Sequence, residues 1–172
     1  GKTVYYLDYE QSEKQFQLRY TNKETKEMYE FSEEFKRPRL IIELSSGEET
    51  AIARFFKMVK KKAEQGGKIF ILDNITFLIS KIENGADIIA FMKRLKNLKE
   101  EYGLSFLILA HTTKTKDAKP ITQDDLAGSK KLMNFADSAF AMGKSRVDGS
   151  IYLKQIKARM GSVVYHEDNV LV

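Results

Sequence analysis

Acidic and imidazole side chains stand where three apolar runs end, an arrangement suited to phosphoryl-transfer chemistry. The run from Lys68 to Asn74 (KIFILDN) is an apolar strand that closes on a carboxylate, Asp73. A carboxylate at the exit of a buried strand is costly unless a cation or hydrogen-bond donors face it. In phosphoryl-transfer enzymes such an acid holds the water shell of Mg²⁺. The alternative for Asp73 and Asn74 is a capped turn with no ligand. The run from Val4 to Glu10 (VYYLDYE) ends the same way. Glu10 could orient and deprotonate an attacking water, or it could open the next helix, since Glu10 to Glu13 (EQSE) is good N-terminal composition. Asp8 is expected to point away from Glu10, though it could assist at the strand end. The third run, Leu104 to His111 (LSFLILAH), ends on one of only two histidines. His111 is either a satisfied polar residue or a sensor of a terminal phosphate, and without a second His or Cys beside it no metal site is implied.

Two further groups carry charge. Lys114, Lys116 and Lys119, followed by Lys130 and Lys131, form either a surface that tracks phosphates or a solvated loop. No aromatics interleave to stack bases, so sequence-specific readout is not supported. Lys157 and Arg159 alternate along an expected strand, which aims both cations the same way beside a tight turn at Met160 and Gly161. They read as a charged hairpin tip or as fingers reaching into a neighbouring subunit, a device that contributes on the order of 10³–10⁵ in rate. No Gly-x-x-x-x-Gly-Lys-Ser/Thr loop is present to wrap phosphates in backbone N–H groups. Gly1, Lys2 and Thr3 spell the end of one, but the strand-forming run VYYL follows directly where a helix should start. The triplet reads as a coincidental loop or a tag remnant.

The elements that must position these groups follow from periodicity. A strand over 4–8 precedes a helix near 12–21 with Phe16, Leu18 and Tyr20 inward. Residues 22–48 read as irregular and charged, with a short strand at 40–44. Ile52, Phe55, Phe56 and Val59 recur at helical spacing over 49–65, and Gly66–Gly67 stops that helix. A strand at 69–72 leads to a helix over 86–101 with Ile88, Ile89, Met92, Leu95 and Leu98 inward, then to a strand over 105–110. A short helix at 126–136, a strand at 138–142 and a closing hairpin of 150–157 with 162–166 complete the chain. Alternating strands and helices predict an α/β domain with a mostly parallel sheet and helices on both faces, the hairpin adding antiparallel edge strands. Ligands of such folds sit at the carboxyl ends of the strands, so Glu10, Asp73 and His111 are expected to converge there.

Size and composition set the outer bounds. A chain of 172 residues with 42% apolar and 31% charged residues is one soluble globular domain. It contains no apolar run long enough for a membrane span and opens on no secretory signal. The absence of cysteine excludes disulfides and thiolate metal sites, and a cytoplasmic setting fits. A first residue of Gly is expected of a processed or trimmed fragment. The net charge of +5 serves solubility first and permits a polyanionic partner.

In this order the motifs resemble the RecA-like ATPase core of hexameric helicases, especially the plasmid RepA and DnaB-type branch. Val4–Glu10 with Ser12, Phe16 and Arg19 is similar to the strand and helix that bear the catalytic glutamate. Ile69–Asp73 is similar to the Walker B strand, and Leu107–Lys114 (LILAHTTK) to the sensor strand. Leu126–Ser129 (LAGS) with Ala136 and Asp137, and Ile156–Gly161 (IKARMG), are similar to the Gly-Ser segment and to the element that supplies fingers in trans. The resemblance implies one RecA-like ATPase domain over 1–172 with the first core strand and P-loop missing ahead of Val4. In that fold the missing strand lies inside the sheet, so its loss leaves apolar edges exposed.

The resemblance also implies ATP and Mg²⁺ as cofactors, with Asp73 and Asn74 at the nucleotide and Mg²⁺ held by Asp73 through water. Glu10 would act on the attacking water, His111 would sense the γ-phosphate, and Lys157 and Arg159 would act across a subunit boundary. Single-stranded DNA would be gripped through the 112–131 loop by a hexamer-type homo-oligomer. The family's residue before the sensor is not matched, since Ala110 precedes His111. A non-catalytic binding module, and a recombinase or regulatory ATPase of RecA or KaiC type, remain as alternatives.

Overall fold

The computed structural model describes residues 1–38, 40, 50–79, 85–112, 120–125, 130–145 and 149–166. They divide into two compact units, one formed by 1–81 and 93–110, the other by 82–92 and 111–172.

The first unit is built on a parallel sheet. Strands β1 (Val4–Asp8), β2 (Phe35–Lys36), β3 (Ile69–Asp73) and β4 (Ser105–Ile108) lie in the order β2-β1-β3-β4. The ladder aligns Tyr5 with Phe70 and Phe70 with Phe106, and these rings stack at centroid distances of 5.4 and 5.6 Å. Alternation then puts Tyr5, Leu7, Phe70, Leu72 and Phe106 on one face and Tyr6, Asp8, Ile71, Asp73 and Leu107 on the other.

Helices cover both faces, as the alternating pattern predicts. Helix α1 (Glu13–Arg19) starts at a capping box in which Ser12 Oγ accepts from the Gln15 N–H at 3.3 Å and Gln15 Oε1 accepts from the Ser12 N–H at 2.8 Å. It packs Phe16 against Tyr6, and Tyr20, Phe31 and Phe35 extend this aromatic layer. Helix α2 (Ala51–Glu64) buries Phe55, Phe56, Val59 and Ala63. It stops where expected: Gly66 takes φ +93°, its N–H bonds the Ala63 carbonyl at 2.9 Å, and the Gly67 N–H bonds the Lys62 carbonyl at 2.9 Å. A side chain on Gly67 would meet that same carbonyl oxygen at 2.8 Å.

Helix α3 (Ile75–Ile79) follows β3 directly, and α4 (Gly85–Tyr102) precedes β4. The crossovers β1-α2-β3 and β3-α4-β4 step the same way along the sheet. Right-handed connections therefore put α2 and the 93–102 half of α4 on one face, with α1 opposite. The guanidinium of Arg94 lies 4.2 Å from the Phe56 ring centroid, which confirms that α2 and α4 are neighbours.

In the second unit, α5 (Lys130–Phe135) precedes the antiparallel pair β5 (Ser138–Lys144) and β6 (Ile151–Ala158), a two-stranded sheet of its own. This is the C-terminal hairpin, drawn between different segments from those expected. The turn at Gly161 forms, with φ +98°, but 162–166 is not a strand. Two bonds still tie it to β6: the Gln155 N–H donates to the Tyr165 carbonyl at 2.7 Å, and Gln155 Oε1 accepts the Val164 N–H at 2.9 Å. Three smaller expectations also change. Leu18 is 66% exposed, because the shell over Tyr6 is filled by Phe16 and the aromatics after it. Along α4, Phe91 is buried where Ile89 was expected. The sensor strand ends at Ile108, although the Leu109 N–H still bonds the Leu72 carbonyl at 2.9 Å. The expected strand at 40–44 lies outside the described residues, apart from Leu40, which is not in a strand.

Among the described residues no helix is long and apolar enough to cross a membrane. The core rests on the stacked face. Phe70 is fully buried between Tyr5 and Phe106, so Phe70→Ala should cost about 3–5 kcal/mol, read as a lowered urea midpoint with the two-state slope retained.

Candidate active site at the carboxyl ends of β1 and β3

Asp8 and Asp73 are direct partners in the parallel ladder, so two carboxylates stand side by side at the strand ends. Each is met by a different donor set. The Asp8 side chain is 2% exposed. Its Oδ1 accepts the backbone N–H groups of Glu10 at 3.0 Å and Gln11 at 2.8 Å, and its Oδ2 accepts Arg37 Nη2 at 3.2 Å and Nε at 3.4 Å. Arg37 also bonds Glu13 Oε2 at 2.5 Å and the Gln11 carbonyl at 2.9 Å, with its guanidinium 4.3 Å over the Phe16 ring. Asp8 is therefore the anchor of the loop that presents Glu10.

Asp73 Oδ2 accepts the hydroxyl of Tyr6, which shares its face of the sheet one strand away. Burial, reinforced by that bond and by the charge of Asp73, pushes the Tyr6 phenol well above its ordinary 10.0. Burial alone raises Tyr9, which stacks on Phe77 of α3 at 5.7 Å.

The adjacent residue joins the two strand ends. Asn74 is 3% exposed, and its Nδ2 donates to Glu10 Oε1. Its Oδ1 accepts the Phe77 N–H at 3.1 Å and so holds the start of α3. The sequence offered a capped turn or a ligand-facing pair here; the amide both caps α3 and holds Glu10. Glu10 itself is exposed, as a group that meets a water must be.

His111 is exposed and belongs to the second unit. Lys114, Lys116 and Lys119 lie outside the described residues, as does the side chain of Lys130 on α5. Lys131 is exposed, and a Cβ on Gly85 would stand 2.0 Å from its Nζ, so its ammonium lies against the first residue of α4.

Lys157 and Arg159 do share a side, as alternation predicts, and both reach the end of α5. Lys157 Nζ donates to the Met133 carbonyl, Arg159 Nη2 donates to the Asn134 carbonyl at 2.6 Å, and Arg159 Nη1 lies 3.6 Å from Asp137 Oδ1. Carbonyls of that last turn carry the helix's negative end, which suits cations; the Met133 carbonyl also takes the Ala136 N–H at 3.2 Å.

Sequence reasoning missed Tyr6 and Arg37. Alternation along β1 could have placed Tyr6 on the face of Asp8 and so beside Asp73. Arg37 sits in a charged stretch without period, and nothing local marks it.

A sequence model of the AAA domain family matches residues 1–117, a span that includes β1, β3, β4 and the whole cluster around Asp73. The chain belongs to the AAA domain family. A solved structure of a KaiC-like protein from the hyperthermophilic archaeon Pyrococcus horikoshii is similar to this AAA domain over 96% of the present chain and 70% of that one, with a TM-score of 0.57 and 11% sequence identity. No curated protein matches. Family and fold together make this AAA domain a RecA-like NTPase domain. Such domains generally use ATP and Mg²⁺. The donor set at β3 fits hydrated Mg²⁺: Asp73 is a half-buried carboxylate at a strand end, held in place by a neutral phenol.

Two outcomes follow. Arg37→Met leaves the Asp8 charge buried without its cation and should cost about 3–5 kcal/mol in urea unfolding, and Asp8→Asn in the same chain should recover part of it. The raised phenols stabilise the fold fully below the unfolded value of about 10, and that stabilisation is lost as pH rises through the folded values. Urea midpoints should therefore fall above about pH 10, less steeply in Tyr6→Phe than in the parent.

Proposed function

We propose that this chain is the motor core of a replicative or plasmid-mobilising helicase of the RepA and DnaB type. In that reading 1–172 is one RecA-like ATPase domain of a hexamer-type homo-oligomer that works in the cytoplasm on single-stranded DNA. The observation that carries the catalytic part is the Asn74 bridge, which fixes Glu10 beside the Asp73 strand end. Glu10 takes the proton of an attacking water, Asn74 holds its carboxylate in place, and Asp73 holds the water shell of the cation. Bound Mg²⁺–ATP supplies the phosphoryl group and the charge that offsets the leaving phosphate.

The phosphate-gripping loop, for which this sequence has no motif, would follow a further strand beside β4. Support for its place is the outer edge of β4, which among the described residues pairs with β3 alone, beside Leu107 at 56% and Leu109 at 41% exposure. His111 as phosphate sensor belongs to the same reading. Lys157 and Arg159 could act on a neighbouring subunit only by releasing the α5 carbonyls they now hold.

In the full-length protein Glu10→Gln should lower ATP turnover by about 10²–10⁴-fold while nucleotide binding persists. Steady-state hydrolysis alongside equilibrium binding of a fluorescent ATP analogue reads both, and undiminished turnover removes Glu10 from the catalytic role.

A further inference from the structure

The first unit concentrates its positive charge on one side. Residues 13–37, which include α1 and the segment that packs with it on the Tyr6 face, carry six acids and six bases and are balanced. On the other face α2 carries Arg54, Lys57, Lys60, Lys61 and Lys62 with Glu64 as its one acid. The neighbouring half of α4 adds Lys93, Arg94, Lys96 and Lys99 against Glu100 and Glu101. A net charge of +5 for the whole chain thus conceals a basic helical layer on one side.

Between those helices runs an open cleft of about 410 Å³. Phe56 and Leu98 form its floor, and Lys57, Lys60, Arg94 and Asn97 its walls; Glu101 is the acid that lines it. Lys57, Lys60, Arg94 and Asn97 are all exposed, and the Arg94 guanidinium lies 4.2 Å over the Phe56 ring. A guanidinium, two ammonium groups and an amide along an open trough suit a chain of phosphates.

We infer that this cleft binds the sugar–phosphate backbone of nucleic acid without regard to sequence. The inference takes only its polyanion from the proposed function, and it places the contact on α2 and α4, away from the 112–131 loop. Phe56 is 2% exposed and offers no ring for a base to stack on, which removes the usual platform for base contacts. None of the large exposed apolar residues lies on α2 or α4, so nothing there would enter a lipid surface.

The test is fluorescence anisotropy of labelled oligothymidine and of a random duplex, titrated with this chain between about 50 and 200 mM salt. Lys57→Glu with Lys60→Glu should weaken binding tenfold or more and lower the slope of log affinity against log salt by about 1.4–1.8, from roughly 0.7–0.9 per lost phosphate contact. The Gln pair at the same positions should give a smaller loss in the same direction. Lys14→Glu with Lys23→Glu, on the opposite face, should change neither quantity, and circular dichroism should show all variants folded. The single-strand and duplex arms separate the two sources of phosphate. Equal weakening by the opposite-face pair, or competition by polyglutamate as strong as by DNA, overturns the inference. Loss on Lys131→Glu with the cleft variants unchanged overturns the cleft but leaves a nucleic-acid partner standing. Absence of salt-dependent binding by the parent chain overturns both, without touching the hydrolytic role of Glu10.

Discussion

The arrangement of the strand ends depends on a single buried carboxylate. Asp8 sits at the end of a central strand where water cannot reach it, and an unpaired charge there would cost several kcal/mol. The chain answers with the backbone N–H groups of the next loop and with Arg37, which arrives beside it after β2. Because the same oxygen takes both N–H groups, the path of Glu10 and Gln11 is tied to the position of β1. Because Arg37 also reaches Glu13 and lies over Phe16, the start of α1 is held by the same cation. One ion pair therefore sets the loop, the helix behind it and the aromatic layer above Tyr6.

Beside this anchor, the second carboxylate is treated differently. Asp73 receives a neutral phenol, and Asn74 then divides its amide between Glu10 and the first turn of α3. A side chain that both starts a helix and orients an acid cannot move for one task without disturbing the other, so the strand ends behave as a unit. The likeness to the archaeal KaiC-like structure at 11% identity speaks for the sheet and its helices, and the chemistry rests on these particular contacts.

The sheet was legible because its central strands are uninterrupted apolar runs closed by acids, and α2 because its apolar spacing is regular and Gly66–Gly67 ends it. Asp73 and Asn74 were legible as a pair for the same reason. Arg37 was not, since its meaning comes from tertiary closure across 29 positions of sequence. Helix α3, five residues of which four are apolar, is too short to show a period. Alternation placed Lys157 and Arg159 on one side correctly, but which way that side faces depends on where α5 docks. The 162–166 stretch has a strand's composition and lies along β6, held by one backbone bond and by the Gln155 amide in place of a full ladder.

The outer edge of β4, which among the described residues pairs with β3 alone, has a practical corollary for anyone handling this chain. Parallel-strand geometry turns the N–H and C=O groups of Phe106 and Ile108 outward there, next to two exposed leucines. Such a border is a template for another extended segment, and copies of the chain can satisfy one another across it. Self-association of that kind is held by backbone bonds and apolar contact, so raising the ionic strength would not dissolve it; a lysine in place of Leu107 would blunt it.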